Sequence, residues 1–226
     1  GTVYRLWEEA GHAGRPEFTP AEILQADLAP LLLRLARWGA TDPAGLPWLD
    51  PPPAPSVAAA RRGLEALGAL DRAGRITPLG EAMAALPVAP DQAAALVFGA
   101  KAGLGEETAR LVLLLQERGL GGRSEDLGQR SSRWQAERSA RSTEAARLAR
   151  QWAGQASRLG EGLAPSAAQS AAEALALARP DFIARRRDPT GEQWISAGGR
   201  GYRLDPASPL ARAEWIVIGD AQGQAK

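Results

Sequence analysis

Apolar residues recur along most of this chain at helical spacing, and strand-like stretches are few and short. In "ADLAPLLLRLARWG" (26–39), Leu28, Leu31, Leu32, Leu35 and Trp38 fall on one stripe, with Arg34 and Arg37 off it. The pattern predicts a helix opened by Asp27 as cap, with Pro30 in the first turn and Gly39 as its stop. A second helix is predicted over 57–70, capped by Ser56, with Val57, Ala60, Leu64 and Leu67 inward. The stiff, proline-rich "TDPAGLPWLDPPPAPS" joins the two.

The stretch "GALDRAGRITPLGEAMAALP" (68–87) breaks the helical rhythm once. Leu70 and Ile76 flank the turn residues of "DRAG", predicting a small hairpin, and Thr77 followed by Pro78 predicts a new helix that ends before Pro87. Helix, connector, helix, hairpin, helix is the outline of a winged-helix module. Further helices are predicted over 91–102, 106–118, 143–159 and 166–187, the third capped by Thr143, the fourth by Ser166 and kinked or split at Pro180. Residues 119–142 are polar and read as a long, irregular connection.

Apart from that hairpin, strand-like stretches lie toward the two ends. "TVYRLW" (2–7) reads as a strand. "EQWISAGGRGYRLD" (192–205) reads as a hairpin around a glycine-rich turn, and "AEWIVIGD" (213–220) as a third strand, too few to close a barrel. The fold class predicted is mainly α: a winged helix, then a helical bundle, then a truncated β segment.

Composition narrows the chemistry. The 226 residues contain no cysteine, which removes thiolate chemistry and disulfides and fits a cytoplasmic setting. No apolar run approaches the ~18 residues of a membrane helix. The net charge of +1 hides an uneven spread: −4 over residues 1–109, +6 over 110–187 and −1 over 188–226. The basic residues are arginine except for Lys101 and Lys226, and the arginine fork suits phosphate. His12, the single histidine, sits in a loop without a nucleophile or second ligand nearby. There is no phosphate-loop motif, "GGRG" (198–201) reads as a tight turn, and no His, Asp or Glu cluster has metal spacing. Glu106 and Glu107 suit a helix start rather than a converging acid pair. No catalytic, cofactor or metal site is expected in these residues.

Three segments, "EILQADLAPLLLRLARWG", "PWLDPPP" and "LEALGALDRAGRITPLGEAMAALPVAP", resemble in order and spacing the helicase-associated region of DEAH-box helicases. "DFIARRR" (181–187) followed by "GYRLDPASPLARAEWIVIGD" (201–220) is similar to the bacterial HrpB-type branch. The resemblance covers nearly the whole chain. It implies an accessory part of an ATP-dependent RNA or DNA helicase: the end of the second motor domain and a linker over 1–21, a winged helix over 22–87, a helical ratchet bundle over 88–187, and the start of an OB-like β domain from 188 to 226. ATP and Mg²⁺ then belong to motor domains outside these residues. The implied partners are single-stranded RNA or DNA and those motor domains, with no membrane.

A sequence-tolerant strand channel needs arginines for phosphates and aromatic faces for stacking. On that ground the candidate nucleic-acid contacts are Arg185, Arg186 and Arg187, Arg200 and Arg203 beside the glycine-rich turn, and the pair Arg133 and Trp134 in the irregular stretch. Trp38, Trp48 and Trp152 are expected in core or interdomain packing. Two other readings remain. A winged-helix DNA-binding regulator would read bases from 57–70, where Arg61 and Arg62 are the basic residues. A pure interdomain scaffold would only dock motor domains.

Overall fold

The computed structural model describes residues 4, 8, 14 and 18–221. The strand expected over 2–7, and His12, lie outside the described residues apart from Tyr4. Among the described residues there are eight α-helices and one small sheet.

Helix α1 (Ala29–Arg37) has Leu28, not Asp27, at its cap position, without a side-chain cap bond; the Asp27 carboxylate, one residue earlier, accepts from the Ala29 N–H at 2.9 Å, and Pro30 occupies the first turn. Gly39 closes it at φ 87°. Its buried face is Leu28, Leu32, Leu33, Leu35 and Ala36. Trp38, expected on that stripe, is instead 88% exposed. Its backbone is still helical, with its N–H on the Arg34 carbonyl at 3.1 Å, but the buried face turns toward Leu33 and Ala36 and leaves Trp38 on the solvent side. Trp48 is half-buried, its Nε1–H donating to the Pro43 carbonyl at 2.7 Å, and Trp152 is in the core.

Helix α2 (Ala54–Ala66) begins earlier than expected. Pro53 is its extended N-terminal neighbour and Pro55 lies in the first turn, where a missing N–H costs nothing, so Ser56 is inside the helix rather than its cap. The hairpin that follows is reduced to a single antiparallel bridge, Leu70 to Ile76. Asp71 builds the turn: its Oδ1 accepts from the Ala73 and Arg75 N–H groups, both at 2.9 Å, while Gly74 takes φ 77°. Thr77 then begins α3 (Pro78–Ala84). Its hydroxyl accepts from the Gly80 N–H at 3.0 Å and donates to the Gly68 carbonyl at 2.6 Å, and its own N–H donates to the Ala69 carbonyl at 3.0 Å.

Helix α4 (Pro90–Lys101) is the axis of the molecule. Ala93, Ala94, Ala95, Leu96 and Val97 are all buried, so it presents no solvent face over that stretch. It packs on α5 (Gly105–Gln116) so closely that a Cβ on Gly99 would lie 2.1 Å from Thr108 Oγ1. Residues 119–142 are not wholly irregular: α6 (Leu127–Ala136) forms there, capped by Asp126, whose Oδ1 accepts from Gly128 at 2.8 Å and Gln129 at 3.2 Å. Helix α7 (Ala140–Leu159) is capped by Ser139, not Thr143, which places its start one turn earlier than expected.

The largest correction concerns 166–187. Only α8 (Ala171–Ala178), capped by Ser170, is α-helical. Pro180 ends it, a single 3₁₀ turn covers Pro180–Phe182, and β1 (Ile183–Arg186) follows. With β2 (Gln193–Ser196), β3 (Gly201–Arg203) and β4 (Trp215–Val217), it makes a four-stranded antiparallel sheet of order β3-β2-β1-β4, not three strands. One apolar core runs without a break from Leu32 in α1 to Ala178 in α8. The sheet has its own small core of Ala184, Trp194 and Ile218, with Phe182, Tyr202 and Ile216 packed against it. The fold is mainly α, a winged-helix module leading into a helical bundle with a β segment after it.

Candidate nucleic-acid interface

Strand pairing decides where the arginine cluster points. Residues opposed across an antiparallel pair share a face, and neighbours along a strand do not. Arg185 opposes Ile195 on one side and Trp215 on the other, so these three share a face. The Arg187 N–H bonds the Gln193 carbonyl at 2.8 Å and Gln193 opposes Arg203, which puts Arg187 and Arg203 on that face too. Arg186 opposes Trp194 and lies on the other face. There its Nη1 donates to the Ala211 carbonyl at 3.1 Å, so it braces the segment before β4. The sequence cluster Arg185–Arg187 is therefore split by the pleat, because helical spacing was expected where a strand exists.

The remaining candidates also separate. Arg185 is exposed, 3.5 Å from Glu214 and with its guanidinium 5.4 Å from the Trp215 ring centroid. Trp215 itself is 55% exposed. Arg200 lies 5.6 Å from the Tyr202 ring centroid. Arg203 is ion-paired to Glu192 across the hairpin. Arg133 is exposed on α6, but Trp134, expected beside it as a stacking face, is only 3% exposed. Its Nε1–H donates to the Ser142 carbonyl at 3.0 Å, tying α6 to the first turn of α7.

A groove of about 1720 Å³ runs between the sheet and the α5–α6 side of the bundle. Arg187, Arg200 and Arg203 line it from the sheet, with Trp215; Arg118, Arg123 and Arg130 line it from the bundle. Tyr202 opposes Trp194 and belongs to the sheet's other face, where it packs on the sheet's core. Arg130 is the fixed member of that wall. Its Nε donates to the Leu120 carbonyl at 3.1 Å and its Nη2 to the Glu117 carbonyl at 3.0 Å, placing a cation at the C-terminal end of α5. Burial lowers its pKa from the usual arginine value. Six arginines face four acidic residues along the groove, so its field is net positive.

The sequence does not reveal Arg118, Arg123 and Arg130 as part of this site. They reach it through tertiary packing, with no spacing relative to 187–203. Trp215 carried a signal, since period-two alternation sets it opposite Ile216, but it was absorbed in a continuous apolar run. Among the described residues no group of His, Cys, Asp or Glu is placed to hold a metal ion, and no helix is long and apolar enough to cross a membrane.

Comparison with known proteins bears on the family and the fold. Residues 60–88 match the family described as helicase associated domain (HA2), winged-helix. The chain is 37% identical over 196 residues to the ATP-dependent RNA helicase HrpB of Escherichia coli, covering 87% of this chain and 23% of that protein. It is 33% identical over 140 residues to the pre-mRNA-splicing factor ATP-dependent RNA helicase prp22 of Schizosaccharomyces pombe, covering 61% of this chain and 12% of that one. The crystal structure of the Escherichia coli DEAH/RHA helicase HrpB superposes with a TM-score of 0.74 at 33% identity, over 93% of this chain and 25% of that one. The chain thus spans about a quarter or less of these relatives.

Proposed function

Because the chain belongs to the HrpB-type DEAH-box helicases, as their helicase-associated region, we propose that it forms one wall of the single-stranded nucleic-acid channel of an ATP-dependent helicase and docks on that helicase's motor domains. The observation that carries this reading is the groove in which Arg187, Arg200 and Arg203, with the exposed Trp215, face Arg118, Arg123 and Arg130. Arginines set along two walls suit a phosphate backbone, and exposed rings suit unpaired bases of any sequence. In this reading ATP and Mg²⁺ are held by the motor domains, and the chain's contribution is to hold the strand while they step. Trp38, a large apolar ring left in water at the end of α1, supports the docking half of the proposal.

Arg61 weighs against a base-reading regulator. Its guanidinium is turned back onto the Thr41 carbonyl and against Gly74, which leaves Arg62 as the outward basic residue of α2.

The test is the salt dependence of binding to an unstructured RNA oligonucleotide by the full-length protein. Each phosphate contact removed lowers the slope of log K against log salt by roughly 0.7 for a single strand. R187Q, R200Q and R203Q are each expected to flatten the slope, while R62Q leaves it unchanged. Equal slopes for all four would overturn the channel reading and leave the scaffold. Loss confined to R62Q, with duplex preferred over single strand, would favour the regulator.

A further inference from the structure

Between α8 and β1 lies a part-buried cation that does not line the groove. The Arg179 side chain is 13% exposed. Its Nε lies 3.2 Å from Asp91 Oδ2 in the first turn of α4. Its Nη1 donates to the Gly219 carbonyl, just past β4, and its guanidinium sits 4.3 Å from the centroid of the Phe182 ring. One side chain therefore touches the central helix, the tail of the edge strand and the turn that opens the sheet.

The surroundings make these contacts consequential. The Ile218 N–H donates to the Phe182 carbonyl at 3.0 Å, so the ring under Arg179 and the strand it holds are already joined. Gly219 is pressed against the bundle: a Cβ there would stand 2.4 Å from Leu115 Cδ2 and 3.5 Å from Leu127 Cδ1. Leu115, Leu127 and Gly219 all line the groove. The sheet's own core is small and separate from the main one, so the angle between sheet and bundle rests on a few contacts at this end.

We propose that Arg179 is a positioning residue that fixes the sheet against the helical bundle and so sets the width of the groove in which the strand lies. This rests on the nucleic-acid reading above for its consequence, but not for its geometry. The planar fork suits this place because one nitrogen donates to the Gly219 carbonyl while another lies in an ion pair with Asp91, without a hydrogen bond, and the plane lies against a ring. A lysine at the same place offers a single ammonium and cannot reproduce all three contacts.

The absence of cysteine from these residues allows a direct measurement. Spin labels at Q135C on α6 and A197C in the β2–β3 turn, both exposed positions outside the groove lining, report the bundle-to-sheet distance in the full-length protein with its other cysteines replaced. A narrow distribution is expected with Arg179 in place. R179M is expected to broaden and shift it, and R179K to give an intermediate result. D91N, which weakens the α4 contact alone, is expected to shift it less than R179M. RNA affinity of R179M is expected to fall roughly tenfold, the equivalent of one charge-assisted hydrogen bond. Should R179M fail to fold, R179K and D91N decide. Distributions in the folded variants that match wild type would overturn the proposal. A shifted distribution with unchanged RNA affinity would uphold the positioning role and refute the groove as the strand's path.

Discussion

Trp134 offers the sharpest separation of a packing role from a binding role. The sequence pairs it with Arg133 as a stacking platform, whereas the structure buries its ring and gives its Nε1–H to the Ser142 carbonyl at 3.0 Å. Two substitutions divide the contributions. In W134F the ring plane is kept and the hydrogen bond is lost. Ser142 lies in the first turn of α7 and its carbonyl keeps the helical ladder, so the loss is near the ~1 kcal/mol of an ordinary hydrogen bond. The smaller ring leaves a partial cavity worth about 1 kcal/mol more, for a total of roughly 2 kcal/mol. In W134A the whole ring is removed, and about 3–5 kcal/mol is expected. The assay is urea denaturation at constant m-value, paired with RNA affinity of the folded W134F protein. Affinity should match wild type. A W134A protein less than about 1 kcal/mol below wild type would refute the core assignment. Weakened RNA binding by W134F at undiminished stability would restore the stacking role.

Other consequences follow from the winged-helix module. G80A places a Cβ 2.1 Å from the Ala69 carbonyl oxygen, a backbone atom, so α3 must move from the wing; a loss of roughly 1–3 kcal/mol is expected in thermal or urea unfolding, and a wild-type midpoint would contradict the packing. Asp71 has its pKa lowered below the usual 3.8, chiefly by the Arg75 N–H and then by the Arg75 side chain, so its contribution is complete above that value and is lost as pH falls through the lower, folded-state value. D71N should remove that part of the acid dependence of the melting temperature; an unchanged acid profile would show that the turn carries none of it. W38A should leave the stability of the chain within about 0.5 kcal/mol while lowering RNA-stimulated ATP hydrolysis by the full-length protein; a large stability loss would mean that the ring is packed after all.

The helical part of the fold was legible because its signals are local. Asp27, Pro30 and Gly39 mark α1, and Thr77 with Pro78 marks α3, through contacts made within a few residues. Element type failed where the signal is not local. The run 166–187 carries helix formers up to Pro180, and nothing nearby states that Ile183–Arg186 will find partners in 193–196 and 215–217. The same failure reached the site: three adjacent arginines look like one patch until strand pairing assigns Arg186 to the opposite face. The sheet half of the groove was half visible in Arg187, Arg200 and Arg203. The bundle half was not, since Arg118, Arg123 and Arg130 are brought there by the way α5 and α6 turn against each other.

Thr77 closes the turn and caps the helix with one hydroxyl, and its amide holds the strand before the turn. Uncapping α3 and opening the wing are consequently a single event. In native-state hydrogen exchange, the amides of Thr77 and Gly80 should report the same opening free energy, and neither should exchange through fraying alone. The unit also closes over a short loop, so its ordering costs little chain entropy, while Leu70, Ala82 and Met83 tie that ordering to the main core.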